Sequence, residues 1–251
     1  MTADGQWGLL LLFAAGTVAG TLNVVAGGGS FLTLPVMIFL GIPPGVANGT
    51  NRVALLLQNA GAVWGFRRYR VLDARLAVRL AIPAIAGAAI GSWAALQVSD
   101  FAFRRMLAVL MLVMALWSLL RPPPRDPSPT APPKPVGTQL LVVFFLIGIY
   151  GGFIQAGVGF LLLAGTTMAG LDLVRGNAVK VTCVLLWTLV TILIFASGGA
   201  IDWGAGLVLG LGNLIGGQVG VRLTVLKGHA WVRAFVSVTI VLFALRLWLL
   251  G

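Results

Sequence analysis

Apolar runs follow one another along almost the whole chain, separated by short polar or glycine-rich breaks. In the first half they cover about 7–27, 30–41, 46–66, 75–97 and 101–120. In the second half they cover about 138–157, 159–170, 177–197, 203–225 and 230–250. Most approach the ~20 residues that a helix needs to cross a bilayer. The second run of each half has only about 12, which predicts a half-helix, a re-entrant piece or a short buried span. Two breaks fall inside otherwise continuous apolar sequence: Gly27, Gly28 and Gly29 in the first half, and Gly157-Val158-Gly159 in the second. A helix broken at membrane depth is tolerated only where protein or a water-filled cavity satisfies the freed backbone groups. Paired broken segments in corresponding positions of two halves point to a transport site.

Eight of the twelve prolines lie in 121–135, a composition that predicts an extended linker. It divides the chain into a first transmembrane repeat (1–120), a Pro-rich cytoplasmic linker (121–137) and a second repeat (138–251). The repeat shows in spacing. Asp73 is followed by Gly87, Gly91 and Arg104 at steps of 14, 4 and 13, and Asp202 by Gly216, Gly220 and Arg233 at the same steps. Gly16 and Gly20 match Gly148 and Gly152, and Arg52 and Lys180 precede their aspartates by 21 and 22 residues. The expected fold is an all-α polytopic membrane protein of two inverted repeats, about five helical segments each, with glycine-broken or re-entrant short helices. Loop charge supplies the inversion. The 67–75 loop carries Arg67, Arg68, Arg70 and Arg75 and is expected inside, whereas 198–202 has no Lys or Arg. Arg104 and Arg105 fall on the wrong side of this scheme. A parallel four-plus-four arrangement, each broken pair making one crossing, is the alternative.

Composition agrees with a membrane chain. It is 59% hydrophobic and 9% charged, against about 25% charged in soluble domains. A net charge of +11 without a basic soluble domain fits the positive-inside rule and predicts no nucleic-acid partner. The lone Cys183 excludes a disulfide framework, and no metal or cofactor is expected. The N-terminus lacks a basic region of the kind that precedes a cleaved signal peptide. The expected location is the cell inner (plasma) membrane, with lipid as a partner; a homodimer stays open.

The candidate chemistry is anion binding. Ser30 is expected to cap a short helix beginning at Phe31. The N-terminal N–H groups of such a helix carry partial positive charge, and glycines let a ligand approach them. Gly157 and Gly159 offer a second such terminus. Arg52 and Lys180 recur near the start of the third segment of each half, with no acidic residue beside either. An unpaired intramembrane cation marks a functional site by default, although a long side chain can also snorkel to the interface. Asn23, Thr50, Asn51, Gln155 and Asn177 supply neutral hydrogen bonds. Gln58, Asn59 and Thr182 could bind substrate or bridge helices. The glycines at i,i+4 (Gly16/Gly20, Gly87/Gly91, Gly216/Gly220) read as helix-packing pairs. Asp73 and Asp202 read as helix caps, and His229 as a surface residue. No acidic pair, His cluster or nucleophile–base pair appears inside the membrane, so no enzyme is expected.

The stretch 23–35, Asn-Val-Val-Ala-Gly-Gly-Gly-Ser-Phe-Leu-Thr-Leu-Pro, resembles the first repeat of the sulfite exporter TauE/SafE family (four-toluene-sulfonate uptake permease family). Gly-Ile-Pro-Pro at 41–44 and Ala-Asn-Gly-Thr-Asn-Arg at 47–52 belong to the same resemblance. Gly-Ile-Tyr-Gly-Gly-Phe-Ile-Gln-Ala-Gly-Val-Gly-Phe at 148–160, Arg-Gly-Asn-Ala-Val-Lys at 175–180 and Ile-Asp-Trp at 201–203 resemble the second repeat. Val158 stands where a third glycine would match the first cluster. The resemblance implies a transporter, and an exporter in particular, of small sulfur-containing or related organic anions such as sulfite, sulfonates or sulfoacetate. The alternative is a non-transporting membrane scaffold or assembly factor whose glycines only pack helices.

Overall fold

The computed structural model describes residues 5–120 and 135–227, the side chains of 114–120 and Lys227 excepted. The described residues are helical, without strands, and form α1 (Gly5–Ala26), α2 (Ser30–Phe39), α3 (Pro44–Arg68), α4 (Ala74–Ala95), α5 (Asp100–Leu120), α6 (Thr138–Phe153), α7 (Val158–Met168), α8 (Leu173–Ser197) and α9 (Trp203–Lys227). Nine of the ten expected segments are thus helices. The tenth, with His229, Arg233 and most of the linker, lies outside the described residues.

Local signals start and stop these helices. Pro44 opens α3, where its missing N–H costs nothing. The Asp73 carboxylate accepts from Leu76 N at 3.0 Å, Asp202 from Ala205 N at 3.0 Å, and Asp172 from Val174 N and Arg175 N. The expected caps at 73 and 202 are therefore present. Gly41 (φ +85°) and Gly170 (φ +79°) turn the chain after the two short helices.

Four described helices are long and apolar enough to cross a membrane: Gly5–Ala26, Ala74–Ala95, Leu173–Ser197 and Trp203–Leu226. α3 is as long as α8 but carries Asn48, Asn51, Arg52, Gln58 and Asn59 among its buried residues. α2 and α7, at 10 and 11 residues, extend only ~15–17 Å, about half of the hydrocarbon core. α6 has 16 residues, or ~24 Å, so it too stops short of a full span.

Small residues set how the helices pair. Gly16 and Gly20 on α1 lie against the backbone of Leu209 and Asn213 on α9, and Gly212 and Gly216 lie against Phe13 and Thr17. On the other side of the molecule, Gly87 and Gly91 on α4 meet Phe145 and Ile149 on α6, while Gly148 and Gly152 meet Ala84 and Ala88. At each of these positions a Cβ would collide with backbone, so the i,i+4 pairs are packing glycines, as their spacing predicts. Residue numbers rise together in both contacts, so α1 runs parallel to α9 and α4 parallel to α6.

α3 and α8 cross at the centre in opposite directions. Gly49, near the start of α3, touches Ala200 just beyond the end of α8. Ala62 and Phe66, near the end of α3, cluster with Ala178 and Val181 near the start of α8. The loops that follow these two helices, at 69–73 and 198–202, consequently lie at opposite ends of the molecule.

Candidate functional site

Both chain breaks are built by left-handed backbone. Gly27 (φ +88°) ends α1, and α2 then begins at Ser30. Ser30 is the first helical residue and not the cap: Gly29 occupies that position without a side-chain cap, and Ser30 Oγ instead accepts from Asn51 Nδ2 at 3.2 Å. In the second half α6 stops at Phe153, four residues before the apolar run ends. Gln155 (φ +58°) and Gly157 (φ +73°) reverse the chain, and the Tyr150 hydroxyl donates to Ala156 O across the turn. Apolarity alone could not reveal that early stop, since Ile154 and Ala156 are as buried as helical neighbours.

The two breaks touch. A Cβ on Gly27 would lie 2.6 Å from Gly159 Cα, and one on Gly159 would fall on Gly27. Four helix ends therefore converge: the C-termini of α1 and α6 and the N-termini of α2 and α7. Phe31 N donates to Gly28 O, Phe160 N to Gly157 O and Val158 N to Gln155 O, so the N–H groups of Gly28, Gly29 and Ser30 at α2 and of Gly159 at α7 are the ones left without a backbone acceptor.

Arg52 and Lys180 each reach into the opposite half and bind a helix C-terminus. Lys180 Nζ donates to Asn23 O at 2.8 Å and Val24 O at 3.0 Å, in the last turn of α1. Arg52 Nη1 donates to Gly151 O at 2.9 Å and Gln155 Oε1 at 2.5 Å, while its Nη2 donates to Gly152 O at 2.6 Å and Asn48 Oδ1 at 3.4 Å. Its guanidinium also lies 4.9 Å from the centre of the Phe195 ring. Cations at helix C-termini offset the negative ends of the dipoles. Both side chains are buried, at 0% and 2% exposure, so neither snorkels to an interface. All of these partners are neutral, and the one ion pair among the described residues is Arg175–Asp172. Among the described residues the centre thus holds two positive charges without a carboxylate partner.

A cavity of about 10 Å³ sits between these groups, lined by Asn23, Ser30, Asn59, Gln155 and Lys180, with Leu55, Val158, Gly159 and Val184 as the apolar part. This is room for about one water molecule, less than a sulfur oxyanion needs. Lys180 has three N–H donors, of which two go to the carbonyls of α1. Gln155 Nε2 is buried without a partner.

Of the thirteen residues expected from sequence, Asn23, Ser30, Gln155, Gly159 and Lys180 line the cavity. Gly27 meets Gly159, and Gly28, Gly29 and Gly157 complete the two breaks. Arg52 stands behind Gln155. Asn51 is held by α2, accepting from Thr33 Oγ1 at 2.8 Å and donating to Ser30. Thr50 Oγ1 accepts from Asp202 N at 2.8 Å, which makes it a tie to the α8–α9 loop. Asn177 is buried on α8, away from the cavity lining. Asn59, which the sequence offered as able to bind substrate or bridge helices, and the apolar Leu55, Val158 and Val184 are further lining residues. Asn59 lies four residues after Leu55 on the same face of α3, and both line the cavity.

Comparison with known proteins places these features in a family. The profile described as Sulfite exporter TauE/SafE matches residues 12–247. A probable membrane transporter protein, ORF9, of Sinorhizobium sp. is 30% identical over 95% of this chain and 92% of its own length. A probable membrane transporter protein of Haemophilus influenzae is 30% identical over 92% of this chain and 90% of its own. The probable membrane transporter protein YfcA of Escherichia coli K12 is 26% identical over 94% and 88%.

Proposed function

The chain belongs to the sulfite exporter TauE/SafE family of multi-pass membrane transporters, and from that premise we propose that it exports small sulfur-containing or related organic anions across the inner membrane. One observation carries the reading: two fully buried cations, Arg52 and Lys180, have only neutral partners. A full charge at membrane depth is costly, and the partial charge of a helix C-terminus offsets only part of it. A bound anion offsets it, and the N-termini of α2 and α7 add donors whose partial charge favours the same ligand. Their convergence with the Gly27–Gly159 contact repeats, in outline, the broken-helix sites of secondary transporters.

The substrate would sit between the two breaks, near Gly28–Ser30 and Gly157–Phe160, with Lys180 and the Asn23, Ser30, Asn59 and Gln155 side chains around it. Antiparallel α3 and α8, together with the exchanged pairings α1–α9 and α6–α4, support two inverted repeats that rock against each other about this point. A parallel four-plus-four arrangement would run α3 and α8 in the same direction. The cavity holds about one water molecule, so alternating access would have to widen it to admit a larger ion. Transport, not catalysis, is the activity these groups serve.

Reconstitution in liposomes tests the proposal. Sulfite, methanesulfonate, sulfoacetate and acetate are loaded one at a time, and efflux is compared for wild type, Gly28→Leu and Lys180→Gln. Efflux of at least one anion by wild type, lost in both variants, is expected. A scaffold would move none of these anions above empty liposomes.

A further inference from the structure

We propose that Gln155 is the specificity-determining donor of the anion site, and that Arg52 is a positioning residue acting through it. The inference rests on the anion reading above and goes beyond it by separating the roles of the two cations.

Three features of Gln155 support this assignment. Its backbone is left-handed, at φ +58°, a conformation that a non-glycine residue adopts at a cost of about 1–2 kcal/mol. Glycine would remove that strain, so a glutamine here implies a use for the side chain. Its Oε1 accepts from Arg52 Nη1, and a guanidinium has only donors, so the oxygen must face Arg52 and the amide cannot flip. Its Nε2 is then left buried and unpartnered on a residue that lines the cavity. The amide can therefore offer the cavity N–H groups and no lone pair. A ligand must meet it with an acceptor oxygen. A deprotonated oxyanion satisfies that requirement, whereas an acid presenting O–H at this point does not.

Arg52 does not line the cavity. Its terminal nitrogens are committed to Gly151 O, Gly152 O, Asn48 and Gln155. Its effect on a ligand would pass through the Gln155 amide and through the α6 end from which Gln155 departs. Lys180, by contrast, lines the cavity with one donor in excess of its two carbonyl partners.

A double-mutant cycle on the purified full-length protein tests this, read by calorimetry with sulfite, methanesulfonate, sulfoacetate and acetate in low-chloride buffer. Gln155→Met is expected to lower affinity by about tenfold or more, the usual scale for a hydrogen bond to a charged ligand. Arg52→Lys is expected to lower it in the wild-type background and to change it less than about twofold in the Gln155→Met background, since a lost intermediary leaves nothing to position. Gln155→Glu keeps an acceptor for Arg52 and presents oxygen to the cavity; it serves if Gln155→Met does not fold, and is expected to abolish binding. Melting temperatures of the ligand-free variants separate folding defects from lost affinity. Equal losses from Arg52→Lys in both backgrounds would show that Arg52 acts on the ligand directly. Wild-type affinity in either Gln155 variant would overturn the proposal while leaving the anion reading intact. A wild-type protein that binds none of the four anions would sink the anion reading and this inference with it.

Discussion

Gly27, Gly159 and Gly41 allow the contact between the two chain breaks to be weighed by substitution. Gly27 combines two constraints: a left-handed φ of +88° and a backbone neighbour, Gly159, where a Cβ would go. Gly41 has the same constraint of angle, φ +85°, with nothing within 4 Å of an added Cβ. Gly159 has the collision without the positive φ, because its Cβ would lie 2.7 Å from Gly27 O. Gly41→Ala should therefore cost only the left-handed penalty, about 1–2 kcal/mol. Gly159→Ala should cost the overpacking term, about 1–3 kcal/mol, since both neighbours are backbone and cannot rotate away. Gly27→Ala should cost roughly the sum, about 2–5 kcal/mol. The assay is reversible unfolding in mixed detergent micelles, followed by helical ellipticity. If Gly27→Ala and Gly41→Ala are equally stable, the breaks do not press on each other and the convergence of helix ends is wrong.

Single cysteines in 69–72 and 198–201 should label from opposite sides of the membrane, because α3 and α8 are antiparallel; the native Cys183 is fully buried and gives little background. Labelling of both from one side would end the inverted arrangement. Replacing 122–134 by a Gly/Ser linker of equal length should leave transport unchanged, since proline-rich composition of this kind packs no core; loss of transport at normal expression would assign the prolines a role in spacing the halves. Gly216→Leu should destabilise the fold by more than Gly5→Leu, because Gly216 lies on the Thr17 backbone and Gly5 has open space around it; equal melting temperatures would refute the packing account.

Nine of the ten expected segments, the short second segment of each half and the packing glycines were legible from local pattern. Apolar length sets the first two, and i,i+4 spacing of small residues sets the third. The positions of Arg52 and Lys180 as repeated intramembrane cations were also legible. What they bind was not, because Gly151 lies 99 residues from Arg52 and Asn23 lies 157 from Lys180. Nothing in the neighbouring sequence encodes a partner that distant. Thr50 and Asn51 illustrate the same limit. They share a motif with Arg52, yet one ties down the 198–202 loop and the other joins α2 to α3. Gln155 was visible as a polar residue beside a glycine break. Its left-handed backbone depends on α6 stopping at Phe153, which hydropathy does not mark.

The central claim is that an anion balances the buried charge between the two broken helices, and ligand-dependent melting of wild type and Lys180→Met measures it most directly. Lys180→Met keeps the side-chain length and removes the charge. It leaves Val24 O of α1 unpaired, at about 1–3 kcal/mol, while Asn23 O keeps the Gly27 N–H, and it relieves a central membrane charge worth about 2.5–3.5 kcal/mol on insertion scales. These terms oppose each other at comparable size, so the ligand-free melting temperature should change little. Sulfite or a short sulfonate should raise the melting temperature of the wild type and leave that of Lys180→Met unmoved. A wild type that no such anion stabilises, or a Lys180→Met protein that keeps the full shift, would contradict the account.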